Sequence, residues 1–123
     1  MRALVIDDSR AIRMILGQIL KALKFEVFNA GHGLEALEKL KETGPVELAL
    51  VDWNMPEMNG YEFVCEVRKD DKYKDMRLMM VTTETEMSQV IKALEAGANE
   101  YVMKPFTKEM IVEKLTIMGL PVE

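Results

Sequence analysis

Cysteine and histidine are nearly absent from this chain, which carries one of each, Cys65 and His32, in 123 residues. A lone thiol closes no internal disulfide, and one cysteine with one histidine excludes a cysteine-rich zinc site. The composition suits a reducing compartment, and the cytoplasm is the expected address. No uninterrupted run of apolar side chains exceeds four residues, so neither a transmembrane helix nor a signal peptide is expected, and no membrane insertion. Positive charge is also short. Sixteen Lys and Arg stand against 21 Asp and Glu, for a net charge of -5, and the cations are scattered, which argues against nucleic acid as a partner. Repeats, linkers and low-complexity tracts are missing. The chain reads as one domain, residues 1–123, large enough to bury roughly two thirds of its unfolded surface and too short for a second folded module.

Against these absences stand five short apolar runs that read as strands: Ala3 to Ile6, Phe25 to Phe28, Leu48 to Val51, Leu78 to Val81 and Tyr101 to Met103. Helical patterns lie between them. Ile12, Ile15, Leu16, Ile19, Leu20 and Leu23 form one continuous helical face, and Leu34-Leu37-Leu40, Phe63-Val64-Val67, Met87-Val90-Ile91-Leu94 and Ile111-Leu115-Met118 mark four more helices. Gly44-Pro45, Pro56 to Gly60 and Gly97 supply breaks. The alternation predicts an α/β fold with a doubly wound five-stranded parallel sheet and five helices, right-handed crossovers covering both faces. The charged stretch from Arg68 to Asp75 reads as a solvated loop.

Polar residues follow the strand runs in a pattern. Asp7 and Asp8 come after the first, Asp52 after the third, Thr82 after the fourth and Lys104 after the fifth. Parallel strands all point one way, so these residues gather at the carboxyl edge of the sheet, where open α/β sheets bind their ligands. Three carboxylates in one small volume repel by several kcal/mol in a partly buried site and call for a cation or for protons. Oxygen-only ligands favour a hard ion, and Mg²⁺, which keeps several waters and needs one or two carboxylates, suits a shallow three-acid site better than Ca²⁺. An aspartate beside such an ion can attack phosphorus, with Lys104 and the Thr82 hydroxyl placed to meet phosphoryl oxygens. Taken singly, Asp8-Ser9 is a helix N-cap signal and Asp52-Trp53-Asn54-Met55-Pro56 is turn chemistry. Their joint placement at four strand ends is what points to a site.

These residues resemble the receiver domains of two-component response regulators. Asp52 to Gly60 is similar to that family's phosphorylation-site signature, Lys104-Pro105-Phe106 to a second motif, and the separations of 44, 30 and 22 residues from Asp8 through Asp52 and Thr82 to Lys104 fit as well. The resemblance spans the whole chain and is strongest with stand-alone receivers of the chemotaxis type. It implies a sheet order of 2-1-3-4-5, the flavodoxin-like order, and phosphorylation of Asp52 by a sensor histidine kinase or a small phosphodonor. It also implies Mg²⁺, for which Mn²⁺ can substitute, bound by Asp8, Asp52 and the backbone carbonyl of Asn54, with Asp7 acting through a water. Thr82 and Lys104 would contact the phosphoryl group. The Lys104-Pro105 peptide would be cis.

By the same resemblance Thr82 and Tyr101 form the switch, and the fourth helix, fifth strand and fifth helix form the readout surface toward a downstream protein target. Asn54, Thr83 and Glu84 occupy positions that tune phosphate lifetime. The expected protein is a phosphoacceptor that assists its own phosphorylation and dephosphorylation and is not otherwise an enzyme, a monomer or a weak phosphorylation-dependent dimer, acting in chemotaxis or motility. A phosphorelay intermediate or phosphate sink, and a receiver cut from a longer regulator with a linker beginning near Gly119, are the alternatives. A Mg²⁺-dependent aspartyl-nucleophile phosphohydrolase fits poorly, because its general acid would fall on Asn54. A flavodoxin-like carrier would need hydroxyls where this chain has Asp7 and Asp8. A degenerate scaffold would lack a required residue, and none is missing. Of the remaining features, Met79 and Met80 are expected in the core, Trp53 at a partly exposed edge of the site, His32 in a loop without a partner, and Cys65 as an inert helix thiol.

Overall fold

The computed structural model describes residues 1–83 and 87–121. Its strands are β1 (Arg2–Ile6), β2 (Glu26–Ala30), β3 (Leu48–Asp52), β4 (Arg77–Thr82) and β5 (Glu100–Met103), and its helices α1 (Arg10–Ala22), α2 (Gly33–Thr43), α3 (Gly60–Arg68), α4 (Met87–Ala96) and α5 (Lys108–Ile117). All strand pairs are parallel, in the order β2-β1-β3-β4-β5. The fold is the doubly wound sheet expected from the pattern.

The three central strands are buried on both faces, so their sequences are nearly continuous apolar runs. Successive side chains nonetheless divide between two cores, as the pleat requires. Leu4, Ile6, Ala49, Val51, Leu78 and Met80 face Leu40, Phe63, Val64 and Ala93 from α2, α3 and α4. Ala3, Val5, Leu48, Leu50, Met79 and Val81 face Leu16, Leu20, Ile111 and Leu115 from α1 and α5. Met79 and Met80 are fully buried, as expected, on opposite faces.

Register carries the site. Ile6 lies beside Val51, Asp52 beside Val81, and Thr82 beside Met103. The residues at or just after these ends, Asp7, Asp52, Thr82 and Lys104, therefore stand along one edge. Polar side chains start the helices on that edge: Ser9 accepts from the Ile12 amide at 3.3 Å, and Asn59 and Glu62 form a reciprocal capping box on α3.

Some expectations need correction. The α1 stripe is wider than its contact with the sheet: Leu16 and Leu20 are buried, whereas Ile15 is 46% exposed. Strand β2 runs two residues further than its apolar run, because Asn29 and Ala30 pair with Val5 and Ile6 along the sheet edge. His32 has a partner, since it caps α2 by accepting the Glu35 amide on Nδ1 at 3.2 Å. The stretch from Arg68 to Asp75 is largely exposed between α3 and β4, as expected, but it is not irregular. It holds a 3₁₀ turn, Asp71–Tyr73, with Tyr73 buried, and the Arg68 guanidinium donates to the carbonyls of Tyr73, Lys74, Met76 and Gly97 and to Asn99 Oδ1. Five acceptors surround one planar cation, which joins the end of α3 to the start of β5.

Candidate functional site

Strand β1 ends one residue before Asp7, and the chain turns sharply there. The Asp7 amide continues the ladder to the Ala30 carbonyl at 3.1 Å, its Oδ1 accepts the Ser9 amide at 2.8 Å, and its carbonyl accepts from the Arg13 guanidinium. The Asp7 carboxylate is thereby aimed along the carboxyl edge with its side chain 2% exposed. Asp8 is exposed beside it. Asp52, the last residue of β3, is buried, and one carboxylate oxygen from each of Asp7, Asp8 and Asp52 lies within 4.8 Å of the other two.

Lys104 enters from the end of β5. Its amide donates to the Thr82 carbonyl at 2.7 Å, its peptide to Pro105 is cis, and its Nζ lies 3.2 Å from Asp52 Oδ1 and 3.5 Å from Asp7 Oδ2. Burial alone would lower the Lys104 ammonium, but the Asp52 and Asp7 carboxylates outweigh it and hold the group above the usual lysine value. One cation does not balance three acids. The Asp52 carboxyl is pushed up to about 6, first by burial and then by the Asp7 charge, with Lys104 offsetting part of the rise and Asp8 adding a little.

Thr82 ends β4, is buried, and donates from its hydroxyl to the Thr83 carbonyl at 3.4 Å. Asn54 is exposed two residues past Asp52, and Thr83 is half-buried. Glu84 lies outside the described residues. Tyr101 is half-buried on β5, opposite Met80 in register, and packs against the core beneath α2, α3 and α4. Trp53 is not at an exposed edge. It is 5% exposed, with its ring 6.4 Å from that of Tyr61 on α3. The cause is Gly60, whose amide donates to the Trp53 carbonyl at 3.0 Å and whose missing side chain lets the start of α3 press on the acid strand. A Cβ there would lie 2.8 Å from the Asp52 carbonyl oxygen and 2.6 Å from Met80 Cε.

The structure brings together Asp7, Asp8, Asp52 and Lys104 and places Thr82 at the neighbouring strand end. Sequence reasoning missed Arg13 and Gly60 as supports of the site. Arg13 carries no local signal, because its target is a backbone carbonyl six residues earlier. Gly60 was visible as a helix-breaking residue before an apolar run and as the end of the Asp52 to Gly60 motif, and neither signal shows that α3 packs onto Asp52 there.

The donor set fits a hard divalent cation: three carboxylates converge, two of them buried, and the Asp52 carboxyl is pushed up by burial and by the Asp7 charge. It also fits a carboxylate nucleophile with a cation next to the attacking oxygen.

Comparison with known proteins agrees with this geometry. The family profile for the response regulator receiver domain matches residues 3–116. The chain is 44% identical over 119 residues to chemotaxis protein CheY1 of Helicobacter pylori, covering 96% of each protein. It is 47% identical over 116 residues to a chemotaxis protein CheY homolog of Campylobacter jejuni, covering 94% of this chain and 89% of that one. Among solved structures, chemotaxis protein CheY4 of Vibrio cholerae superimposes with a TM-score of 0.87 at 34% identity, covering 95% of this chain and 97% of that one.

Proposed function

This chain belongs to the response regulator receiver family and is a receiver domain homologous to the CheY chemotaxis proteins, and from that premise we propose that Asp52 is its phosphoacceptor in a chemotaxis switch. The observation that carries the assignment is the placement of the Asp52 carboxylate, buried at the floor of the acid cluster with Lys104 Nζ 3.2 Å from one oxygen.

An Asp52 oxygen attacks the phosphorus of a phosphohistidine on a sensor kinase, or of a small acyl phosphate. The new O–P bond forms as the bond to the donor breaks; a histidine imidazole takes up a proton as it leaves, whereas the carboxylate of an acyl phosphate leaves as the anion. The attack needs the ionised carboxylate. With a carboxyl pushed up to about 6, most Asp52 is ionised at neutral pH and is held so at a cost in desolvation and in repulsion from Asp7. Lys104 Nζ, bridging Asp52 and Asp7, is the cation that would meet a phosphoryl oxygen on Asp52. The Thr82 hydroxyl, at the adjacent strand end, turns from the Thr83 carbonyl to donate to a second oxygen.

Asp8, Asp52 and the Asn54 carbonyl are the residues that would hold Mg²⁺ or Mn²⁺ directly, with Asp7 through a water; the ion supplies the positive charge that three carboxylates and an arriving phosphoryl group lack. Movement of Thr82 leaves room for Tyr101 to turn inward, and the change is read on α4, β5 and α5 by a downstream protein. Asn54, Thr83 and Glu84 border the route of water to the acyl phosphate and set its lifetime. We further infer that residues 1–123 act as one unit and that the protein is a monomer or weak phosphorylation-dependent dimer. A cytoplasmic address is supported by the single thiol; among the described residues no helix is long and apolar enough to cross a membrane.

The test is intact mass after incubation with acetyl phosphate and Mg²⁺. The wild type gains one phosphoryl group, and Asp52→Asn gains none. Equal uptake by the variant would remove Asp52 from the role, and uptake unaffected by chelation would remove the metal.

A further inference from the structure

The readout face holds a contact that the phosphorylation chemistry does not use. Lys114, on α5, reaches around the edge of the sheet and places its Nζ 4.7 Å from the centroid of the Tyr101 ring. The same ammonium lies 3.2 Å from Glu100 Oε1. Glu100 is itself anchored, because Oε1 also accepts the Tyr101 amide at 3.0 Å. β5 is an edge strand, and this carboxylate occupies an outward N–H that would otherwise be open to another chain. One carboxylate oxygen thus ties the Tyr101 backbone to the cation that lies over the Tyr101 ring. The ion pair is partly withdrawn from water, with side chains 25% and 17% exposed, so it is screened less than a free surface pair.

We propose that Lys114, fixed by Glu100, is a positioning residue that clamps Tyr101 in its resting place and so sets how readily the switch is thrown. The inference rests on the reading of Asp52 and Tyr101 given above. Lys104 Nζ here lies 3.2 Å from Asp52 Oδ1 and the Thr82 hydroxyl donates to the Thr83 carbonyl. On that Thr82 contact, this Tyr101 position is assigned to the resting protein. A cation over an aromatic face stabilises that ring position specifically. Any inward turn of Tyr101 must leave the cation behind. By linkage, a contact present only in the resting state weakens the binding of whatever favours the other state, and its removal strengthens it by the same factor. Glu100 and Lys114 thus act as a bias on the switch, at a distance from the phosphoryl chemistry.

The experiment uses beryllofluoride with Mg²⁺ as the phosphoryl mimic, titrated by Trp53 fluorescence, and ¹⁹F NMR of 3-fluorotyrosine-labelled protein. The Tyr101 resonance is assigned by its loss in Tyr101→Phe. Lys114→Met keeps most of the stem and removes the charge, and Lys114→Arg keeps the cation. Lys114→Met is expected to move the Tyr101 resonance before any ligand is added and to tighten beryllofluoride binding about two- to five-fold, the factor a partly exposed cation–π contact supplies. Lys114→Arg should stay near wild type, Glu100→Gln should fall between them, and Lys114→Met should have no further effect in a Tyr101→Ala background. If wild type binds beryllofluoride and Lys114→Met binds it equally, or tightens it as much without Tyr101, the clamp is wrong and the phosphoacceptor reading stands. If wild type fails to respond by either fluorescence or NMR, the phosphoacceptor reading falls, and the clamp loses its regulatory role with it.

Discussion

Replacing Asp52 with Asn should make the metal-free protein more stable at neutral pH, although it removes the residue on which function depends. The Asp52 carboxyl sits at about 6 against a usual value of 3.8, chiefly because it is buried and secondarily because Asp7 repels its charge. The folded state therefore binds this proton more tightly than the unfolded state does. Well below pH 4 the group is protonated in both states and nothing is lost. As pH rises from about 4 to about 6 the unfolded chain ionises first, stability falls, and above that range the full penalty is present. Roughly two pH units at 1.36 kcal/mol each give about 3 kcal/mol as an upper bound. Water entry and side-chain relaxation reduce it, so about 1–3 kcal/mol is expected. For a domain of 123 residues that corresponds to a rise in Tm of about 4–11 °C at pH 7.5. Asn keeps the shape of the neutral carboxyl and leaves the Lys104 contact with Asp7 in place. The assay is urea and thermal unfolding of wild type and Asp52→Asn in chelator at pH 4 and pH 7.5, repeated at pH 7.5 with saturating Mg²⁺. The gain should be small at pH 4, largest at pH 7.5 without the ion, and reduced or reversed with it, because only the wild type then gains full ligand-binding stabilisation. An equal gain at both pH values would assign the effect to packing and refute the electrostatic account; a loss at pH 7.5 would refute it more directly.

Further tests address the supports of the site. Gly60→Ala forces a Cβ to within 2.8 Å of the Asp52 carbonyl oxygen; the strain should cost about 1–3 kcal/mol in urea unfolding and weaken Mg²⁺ binding measured by Trp53 fluorescence. Arg68→Ala strips donors from five acceptors, four of them backbone carbonyls, and should cost about 2–4 kcal/mol while leaving phosphoryl uptake per folded molecule unchanged. Asp8→Asn removes the exposed acid and should weaken Mg²⁺ binding with little change in metal-free stability; undiminished affinity in a titration would exclude Asp8 as a ligand. Thr82→Ala should slow phosphoryl uptake less than it reduces the Tyr101 ¹⁹F response to beryllofluoride, and equal losses in both would contradict the separation of chemistry from readout.

The parts of this protein visible in its sequence are those governed by local rules. Apolar runs such as Leu48 to Val51 and Leu78 to Val81, separated by helical periodicity, specify parallel strands without reference to anything distant, and the strands' common direction then gathers Asp7, Asp52, Thr82 and Lys104 at one edge. The cluster was predictable because a residue just past a strand end needs no register information to be placed at that edge. The cap made by His32 and the contacts of Arg68 were not legible for the opposite reason: a cap depends on where a helix starts to the residue, and a guanidinium's partners are carbonyls that any sequence possesses.

Sequence by itself determined the fold class, the helices and strands, the acids at the carboxyl edge and the family to which they belong. Tertiary structure alone decided how those groups act on one another. Lys104 Nζ is shared between carboxylates 52 and 97 residues away, Gly60 draws α3 onto the strand that carries Asp52, and Lys114 lies over Tyr101 from another element. Each of these contacts is set by register and helix packing between remote segments. Charge repulsion and desolvation vary steeply over a few ångströms, so the proton affinity of Asp52 and the balance of the switch exist only once the chain has folded.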